Sequence, residues 1–248
     1  SISIEREEKL MKSNKWKFLL TGAATLTLLT ACSQASSQSA TTSATATASS
    51  VSKKTTKTKQ SDYFTKKDSD TSYDESKAST VKLSGSSATV SGDGVAVSGS
   101  TVTISKSGTY VISGESNGVQ IKVEAGDSDD IQIVLKGVTM TNTNAPISAT
   151  KAGHVYLTLA DGTTNTLSDS SSNNDEDADA VIFSKGDLTI NGSGTLNIDA
   201  KKNNGIKAND TLHITGGTYK ITAVGDAFNV NDELNITGTT MTIDADED

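Results

Sequence analysis

Hydrophobic and polar residues alternate in short runs from about Val81 to the end of the chain. Runs such as VKLSG, VAVSG, VQIKVEAG and VYLTLADG keep a period of two and are closed by glycine. A period of two places alternate side chains on opposite faces of a strand, and no segment shows the 3.6-residue period of a helix. The pattern predicts an all-β domain of short strands joined by polar turns.

A longer repeat orders these strands. The segments DAVIFSKGDLTINGSGTLNIDA, NGIKANDTLHITGGTYKITA and DAFNVNDELNITGTTMTIDA align at steps of 22 to 25 residues. The aligned apolar columns are Leu188, Leu212 and Leu234; Ile190, Ile214 and Ile236; and Ile198, Ile221 and Ile243. Repeats of this length without a helix are typical of a β-solenoid, in which each repeat is one coil and successive coils pair in parallel.

The chain before this domain changes composition in steps. Three lysines at 12, 15 and 17 precede an apolar stretch that ends near Leu29, which is typical of a secretory signal peptide. The next residues are rich in Ser, Thr and Lys and cannot bury a core. The predicted segments are an upstream read-through (1–10), a signal peptide (11–31), a lipidated Cys with a disordered linker (32–79) and the folded domain (80–248), interpreted as truncated at its C-terminus.

Cys32 is the only cysteine of the chain, which excludes an intramolecular disulfide. The sequence LTAC, where the apolar stretch ends, resembles the bacterial lipobox. The resemblance implies that Cys32 carries a lipid and anchors the protein on the extracellular face of the bacterial cell membrane. The alternative is a signal peptide that is cleaved nearby, with an incidental cysteine.

Charge is unevenly distributed along the chain. From Glu115 to Asp248 there are 8 Lys, no Arg and 21 acidic residues, a net charge of −13, whereas the whole chain carries −8. So acidic a domain repels phosphate backbones, which argues against a nucleic-acid partner. Its surface suits cations, or anions that are bridged through cations.

Acidic and amide side chains recur at the start of each repeat. Equivalent residues of adjacent coils lie about 4.8 Å apart, and Ca²⁺ binds oxygen at about 2.3–2.6 Å, so one ion can bridge two coils. Asp175 and Glu176 are assigned to a solvated loop. The predicted metal ligands are Asp177, Asp179, Asn204, Asp226, Asp246 and Asp248. Turn chemistry is the alternative, because Asp and Asn are common at turns for backbone reasons alone.

Other candidate chemistry is sparse. Lys185 and Lys207 lie near the acidic column in the repeat and are predicted either to contact substrate carboxylates or to act as solubilising charges. His154 and His213 are interpreted as surface residues rather than ligands. The sequence offers neither a paired base that would support a nucleophilic serine nor a Gly-Lys-Ser/Thr phosphate-binding loop.

The lipobox, the polar tether and the repeats that begin DAVIF, NGIKA and DAFNV resemble the carbohydrate-binding β-helix proteins of bacterial cell surfaces. The resemblance covers roughly residues 80–248 and is most specific from Asp179 onward. It implies a right-handed parallel β-helix similar to pectate lyases, with about 22 residues per coil. It also implies bound Ca²⁺ and binding of acidic polysaccharides such as polygalacturonate, with weaker binding of cellulose. Asn204 and Phe228 depart from the more usual Asp-Gly-Ile at their coils.

The sequence thus predicts a non-catalytic, calcium-assisted binder of acidic glycans at the cell surface. Aromatic residues are too scarce for the flat platform that binders of neutral crystalline glycans present. The alternatives are a polysaccharide lyase or hydrolase on the same fold, or a structural adhesin or stalk. A lyase needs a Lys or Arg base, yet the repeat region has no Arg and no single Lys stands out.

Overall fold

The computed structural model describes residues 62–247, and in this range the chain is built from strands. A short 3₁₀ helix, Lys67–Ser69, precedes them. The strands are β1 (Ser79–Gly85), β2 (Ser87–Ser91), β3 (Val95–Ser98), β4 (Thr101–Ile104), β5 (Gly108–Asn117), β6 (Gln120–Glu124), β7 (Asp130–Thr141), β8 (Ile147–Lys151), β9 (His154–Leu159), β10 (Thr164–Ser168), β11 (Ala180–Ser184), β12 (Leu188–Gly192), β13 (Thr195–Ala200), β14 (Asn204–Ala208), β15 (Thr211–Thr215), β16 (Thr218–Ala223), β17 (Phe228–Val230), β18 (Glu233–Thr237) and β19 (Thr240–Ala245).

Parts of the sequence-based segmentation lie outside these residues. They are the predicted read-through, the predicted signal peptide, the predicted lipidation site Cys32, the linker as far as residue 61 and the last residue, Asp248. Within residues 62–247, no helix is long and apolar enough to span a membrane.

Strands that are three positions apart in the chain pair in parallel. The series β9, β12, β15, β18 and the series β10, β13, β16, β19 belong to one 12-stranded sheet, and β8, β11, β14 and β17 belong to a second, 7-stranded sheet. The long strand β7 joins the first two series, because its first half pairs with β9 and its second half with β10. The domain is therefore all-β with a long parallel sheet, in which each repeat supplies one strand to each of three rows.

The register confirms the predicted apolar columns. Leu188 pairs with Leu212 and Leu212 with Leu234, and the isoleucine columns align in the same way. Their side chains point inward, and Leu212, Ile214 and Ile221 are fully buried. Burial fixes this register, because a slip by one residue would turn every apolar side chain outward.

The two ends of the stack differ. At the N-terminal end, β1 and β3 pair antiparallel with β2 and β4, and these hairpins close the core. In the last coil, strands β17, β18 and β19 have a neighbour on one side only. Leu234, Ile236 and Ile243 are consequently 40 to 47 % exposed, although they continue buried columns.

Asn165 is an inward-facing polar residue with no exposed surface. It lies in β10 beside the bend of β7, where Gly137 adopts a φ of 75°. Its side-chain oxygen accepts hydrogen bonds from the backbone N–H groups of Gly137 and Val138 at 3.0 and 2.9 Å. Its amide donates to Thr163 and to the carbonyl oxygen of Thr195, both at 3.2 Å. This side chain therefore satisfies the backbone of the bend from inside the core.

Residues 62–78, here called the strap, lie against the outer face of the long sheet. The sequence assigns these residues to a disordered linker that ends at residue 79, and this assignment is wrong for the strap. Its Tyr73 and Ala78 pack against Val111 and Val134, and Glu75 pairs with the ammonium group of Lys136 at 2.7 Å. Most other contacts of the strap are hydrogen bonds. Hydrogen bonds do not require a periodic apolar pattern, so the sequence of the strap does not indicate that it docks.

Candidate functional site

The predicted acidic residues gather at one corner of the stack, where β10, β13 and β16 end and β11, β14 and β17 begin. Residues 171–176 form a loop there and line a cavity of about 470 Å³ together with Asp179 and Lys202. We call these residues the acidic corner. Asp177, a predicted metal ligand, is exposed and does not line the cavity, whereas the presumed loop residues Asp175 and Glu176 do.

Hydrogen bonds from Asn and Asp side chains shape the loop of the acidic corner. The Asn173 side chain is buried, and its oxygen accepts a hydrogen bond from the backbone N–H of Asp175 at 3.1 Å. Oδ1 of Asp175 then accepts the N–H groups of Asp177 and Ala178 at 3.2 and 3.0 Å. The turn chemistry considered from the sequence is thus present at Asp175, while the neighbouring Glu176 is exposed to solvent.

Asp169 lies just before the same loop and fixes its position. The sequence pattern does not indicate this role. Only 2 % of the residue is exposed. Its carboxylate accepts the backbone N–H of Lys201 at 2.7 Å and the side-chain amide of Asn173 at 3.1 Å. Burial raises the pKa of Asp169 although these hydrogen bonds act to lower it. Asp169 therefore ties the loop to the turn of the next coil.

A second cavity, of about 370 Å³, adjoins the first, and Ser171 lines both. Amide and hydroxyl side chains dominate its walls. The lining residues are Asn117, Thr141, Asn142, Thr143, Ser168, Asp169, Ser170, Ser171 and Lys201. Together the cavities form a polar groove with hydrogen-bond donors, acceptors and negative charge along one corner of the stack.

Asp179 and Lys207, both predicted as site residues, contact each other. The Lys207 ammonium lies 2.7 Å from Oδ1 of Asp179, and the two side chains are only 18 % and 24 % exposed. The Asn203 amide donates to Oδ2 at 2.5 Å. Burial acts to raise the pKa of Asp179, but the hydrogen bonds from Lys207 and Asn203 outweigh it and lower the pKa. Both carboxylate oxygens are therefore engaged within the protein.

The Lys207→Met substitution is expected to destabilise the domain by about 1–2 kcal/mol at pH 7. Because the folded pKa of Asp179 is depressed, its contribution is present above the ordinary carboxylate pKa of about 3.9 and is lost as pH falls through the lower, folded pKa. The difference from wild type should therefore shrink as the pH falls below about 4. Urea unfolding at several pH values measures it. Lys185→Met is the control, because the exposed Lys185 has no comparable pair, and an equal loss in the control would contradict the prediction.

The predicted column of metal ligands is displaced by one residue. Asn204 pairs with Ala180 rather than with Asp179, and Asn203 lies beside Asp179 instead. Asn204 remains in line with Asp226, whose N–H donates to Oδ1 of Asn204 at 3.3 Å. The extra residue in DAVI relative to NGI explains the shift, because Ile182 and Ile206 set the register.

The predicted metal ligands do not converge into one cluster of carboxylates within the described residues. Among residues 62–247, no three Asp, Glu, His or Cys side chains converge as metal ligands. Asp226 accepts a hydrogen bond from the Asn229 amide at 2.8 Å, and Asp246 is exposed in the last described turn. A cation at this corner would need oxygens in addition to these carboxylates, from carbonyl groups, amide side chains, water or a bound ligand.

Residues 98–248 match the model of a protein family described as "Carbohydrate-binding domain-containing protein". The match covers more than half of the chain. The chain belongs to this family. A carbohydrate-binding domain-containing protein of Acetivibrio thermocellus is 40 % identical over 124 residues, which are 48 % of this chain and 43 % of that protein. The chain thus spans less than half the length of this relative.

A solved structure supports the fold of the carbohydrate-binding domain. It is described as the polysaccharide lyase-like protein from C. thermocellum in a gadolinium derivative. The sequences are 32 % identical, the TM-score is 0.60, and the match covers 68 % of this chain and 82 % of the other. A polysaccharide lyase-like neighbour fits the stack of parallel strands.

The aromatic residues of this carbohydrate-binding domain do not form an exposed platform between residues 80 and 247. Tyr110 and Tyr219 are 1 % exposed, Phe183 is 3 % exposed and Tyr156 is 8 % exposed. Phe228 is half-buried and packs against the core. Carbohydrate contacts at the acidic corner would therefore be polar rather than stacking contacts.

Proposed function

We propose that this protein binds an acidic polysaccharide, without cleaving it, through the groove at the acidic corner, and that Ca²⁺ assists the binding. The observation that carries the proposal is the pair of adjoining polar cavities that hold Asp175, Glu176 and Asp179. Amides and hydroxyls along the groove suit the hydroxyl groups of a sugar chain. The carboxylates suit a cation rather than a uronate directly.

Bound Ca²⁺ would offset the electrostatic repulsion between the acidic domain and an acidic polysaccharide. Ca²⁺ takes six to eight oxygen ligands, which carboxylates, carbonyls and water supply. Asp175 and Glu176 would contribute protein oxygens, and uronate carboxylates and water would contribute the others.

The same proposal includes the finer architecture and the location of the protein. Crossovers between parallel strands of one sheet are right-handed in about 98 % of cases, so we infer a right-handed parallel β-helix with coils of about 22 residues. A lipid on Cys32 would hold this domain on the extracellular face of the bacterial cell membrane. Polygalacturonate is the proposed ligand, with cellulose as a weaker one.

A polysaccharide lyase is the second candidate, since the solved relative is described as polysaccharide lyase-like. Lyase chemistry requires a base that removes the proton next to the uronate carboxyl group. Lys201 and Lys202 are the lysines that line the groove. Lys207 is paired with Asp179 and does not line the groove.

Incubation of the protein with immobilised polygalacturonate, in calcium or in chelator, tests both candidates. Retention in calcium that is lost in chelator, without unsaturated product, is the expected result. Product that absorbs as an unsaturated uronate would show a lyase. A melting temperature that rises with calcium, without retention of polygalacturonate or cellulose, would instead indicate a structural stalk.

A further inference from the structure

The outward face of β7, β9, β12 and β15 carries a band of polar and aromatic side chains beneath the strap. Gln132, Tyr156, Thr189 and His213 follow one another across these strands in register. A parallel row contains Val134, Thr158, Asn191 and Thr215. Thr189 and Asn191 have no exposed surface, although they point away from the core. The strap is what buries them.

Asp68 is the centre of this contact and is only 1 % exposed. Its Oδ1 accepts the Thr189 hydroxyl at 2.7 Å, and its Oδ2 lies 3.2 Å from Nδ1 of His213. Within the strap, the N–H and hydroxyl of Thr65 also donate to Oδ2, at 2.7 and 2.9 Å. The buried carboxylate of Asp68 thus contacts donor side chains on two different strands, β12 and β15.

The neighbouring carbonyl oxygens of the strap are bound in the same way. The Asp68 carbonyl accepts the Asn191 amide at 3.1 Å and the Thr215 hydroxyl at 2.7 Å. The Asn191 amide also donates to the carbonyl of Asp70 at 3.1 Å. Four side chains of the sheet therefore serve as donors: Thr189, Asn191, His213 and Thr215. Their acceptors are the Asp68 carboxylate and the carbonyl oxygens of Asp68 and Asp70.

This donor set has the chemistry that recognises a uronate. A uronic acid residue offers a carboxylate close to ring, hydroxyl and glycosidic oxygens, all of which accept hydrogen bonds. The donors are side chains of Thr, Asn and His, so the surface can receive a carboxylate without a bridging cation, unlike the acidic corner. The rings of Tyr156 and His154, stacked at 4.1 Å, lie beside it.

We propose that this outer face is a second, calcium-independent binding site for uronate carboxylates, and that the strap occupies it in the free protein with Asp68 in place of the ligand. The site rests on the proposed function for the class of its ligand, an acidic polysaccharide. It differs from the acidic corner in position, in donor type and in its independence of calcium.

Several contacts that hold the strap on the sheet are weak enough for a ligand to displace the strap. Lys67 pairs with Asp130 and lies 4.7 Å from the centre of the Tyr156 ring, but the two charged side chains are about half exposed. Glu75 and Lys136 form a second exposed pair. Exposed pairs contribute roughly 0–1 kcal/mol each. Local opening of the strap breaks these pairs, the Asp68 hydrogen bonds and the packing of Tyr73, but it leaves the core of the sheet intact and therefore costs less free energy than unfolding of the sheet.

An open cavity gives a ligand access at the edge of the strap. It has a volume of about 240 Å³, and its walls come from both the strap and the sheet. Its lining includes Lys67, Asp70, Ser72, Asp130, Gln132 and Tyr156. A sugar residue that enters this cavity meets strap and sheet together, next to the Asp68 contacts.

Titration of the full chain with trigalacturonate in chelator tests the proposal. Asp68→Ala is expected to bind at least about tenfold more tightly than wild type, because the competing carboxylate is gone and a larger fraction of the protein is open. Asp74→Ala is the matched control, since Asp74 belongs to the strap but its carboxylate bonds to Ser76 and Lys77 of the strap rather than to the sheet. The double variant Asp68→Ala, Thr189→Val should lose this gain in affinity, because Thr189 is one of the proposed donors to the uronate carboxylate.

A second readout uses the unmodified protein. Saturating trigalacturonate in chelator should speed hydrogen exchange of the strap amides near Asp68, whereas fully methyl-esterified trigalacturonate should not. Unchanged affinity of Asp68→Ala with a lower melting temperature would overturn the proposal and leave the strap as a structural element. An equal gain for the methyl ester would also overturn it. Calcium-dependent retention by wild type is read separately, so failure of either proposal is distinguishable from failure of the other.

Discussion

Asn165→Leu is expected to lower the free energy of unfolding by about 3–5 kcal/mol, because the buried N–H of Val138, the partly buried N–H of Gly137 and the carbonyl of Thr195 lose their side-chain partner. Asn165 receives the N–H groups of Gly137 and Val138 inside the core, and leucine has a similar volume but no acceptor. The bend of β7 would lose its internal support. Urea unfolding monitored by circular dichroism measures the loss.

The same exchange at Asn197 serves as the control. Asn197 lies on the adjacent strand, is half-buried, and donates one long hydrogen bond to Thr166 at 3.4 Å. Asn197→Leu should cost less than about 1 kcal/mol. Similar losses for both variants would show that Asn165 does not support the bend through its hydrogen bonds.

The double variant Asp175→Asn, Glu176→Gln is expected to weaken calcium-dependent binding of polygalacturonate about a hundredfold, or ~2.7 kcal/mol. Two carboxylates of the acidic corner are lost, and calcium affinity depends on the number of charged ligands. The fold should be preserved, because an Asn at position 175 still accepts the N–H groups that Asp175 accepts. Calorimetric titration in calcium measures the change.

A charge-matched control separates geometry from net charge. Asp177→Asn with Asp246→Asn removes the same two charges from exposed positions that do not line the cavity. This pair should bind within about twofold of wild type, since long-range repulsion is screened at physiological salt. Equal weakening by the two double variants would show that overall charge, and not the acidic corner, controls binding.

The sequence was sufficient to predict the sheet because burial enforces its pattern. Leu188, Leu212 and Leu234 must all face inward, so their spacing reveals both the parallel pairing and the register. The all-β class follows from the same alternation. His213 was correctly placed on the outward face by this argument, although the strap covers it.

Turn residues lack such a constraint, which explains the error at the acidic column. Asp179 and Asn204 occupy similar places in the repeat, yet one extra residue before Ile182 moves Asp179 beside Asn203. The extra residue does not change the pattern of buried side chains, so the sequence alone does not reveal it. The pairing of Asp179 with Lys207 and the buried role of Asp169 likewise depend on contacts between coils, which spacing alone does not reveal.

The strap was missed for a different reason. Its composition of Ser, Asp, Lys and Thr is typical of a linker, and its docking depends on polar donors that the sheet supplies. Those donors belong to Thr189, Asn191 and Thr215, which look in the sequence like ordinary outward residues of strands. Complementarity between two polar surfaces has no periodic signature.

The docking of the strap also imposes an order on folding. Asp68 precedes Thr215 by 147 residues, so the contact forms only after β15 is made and stacked on β12. The earliest part of the described chain is therefore among the last to be placed, and its docking indicates that the four successive strands β7, β9, β12 and β15 are correctly paired.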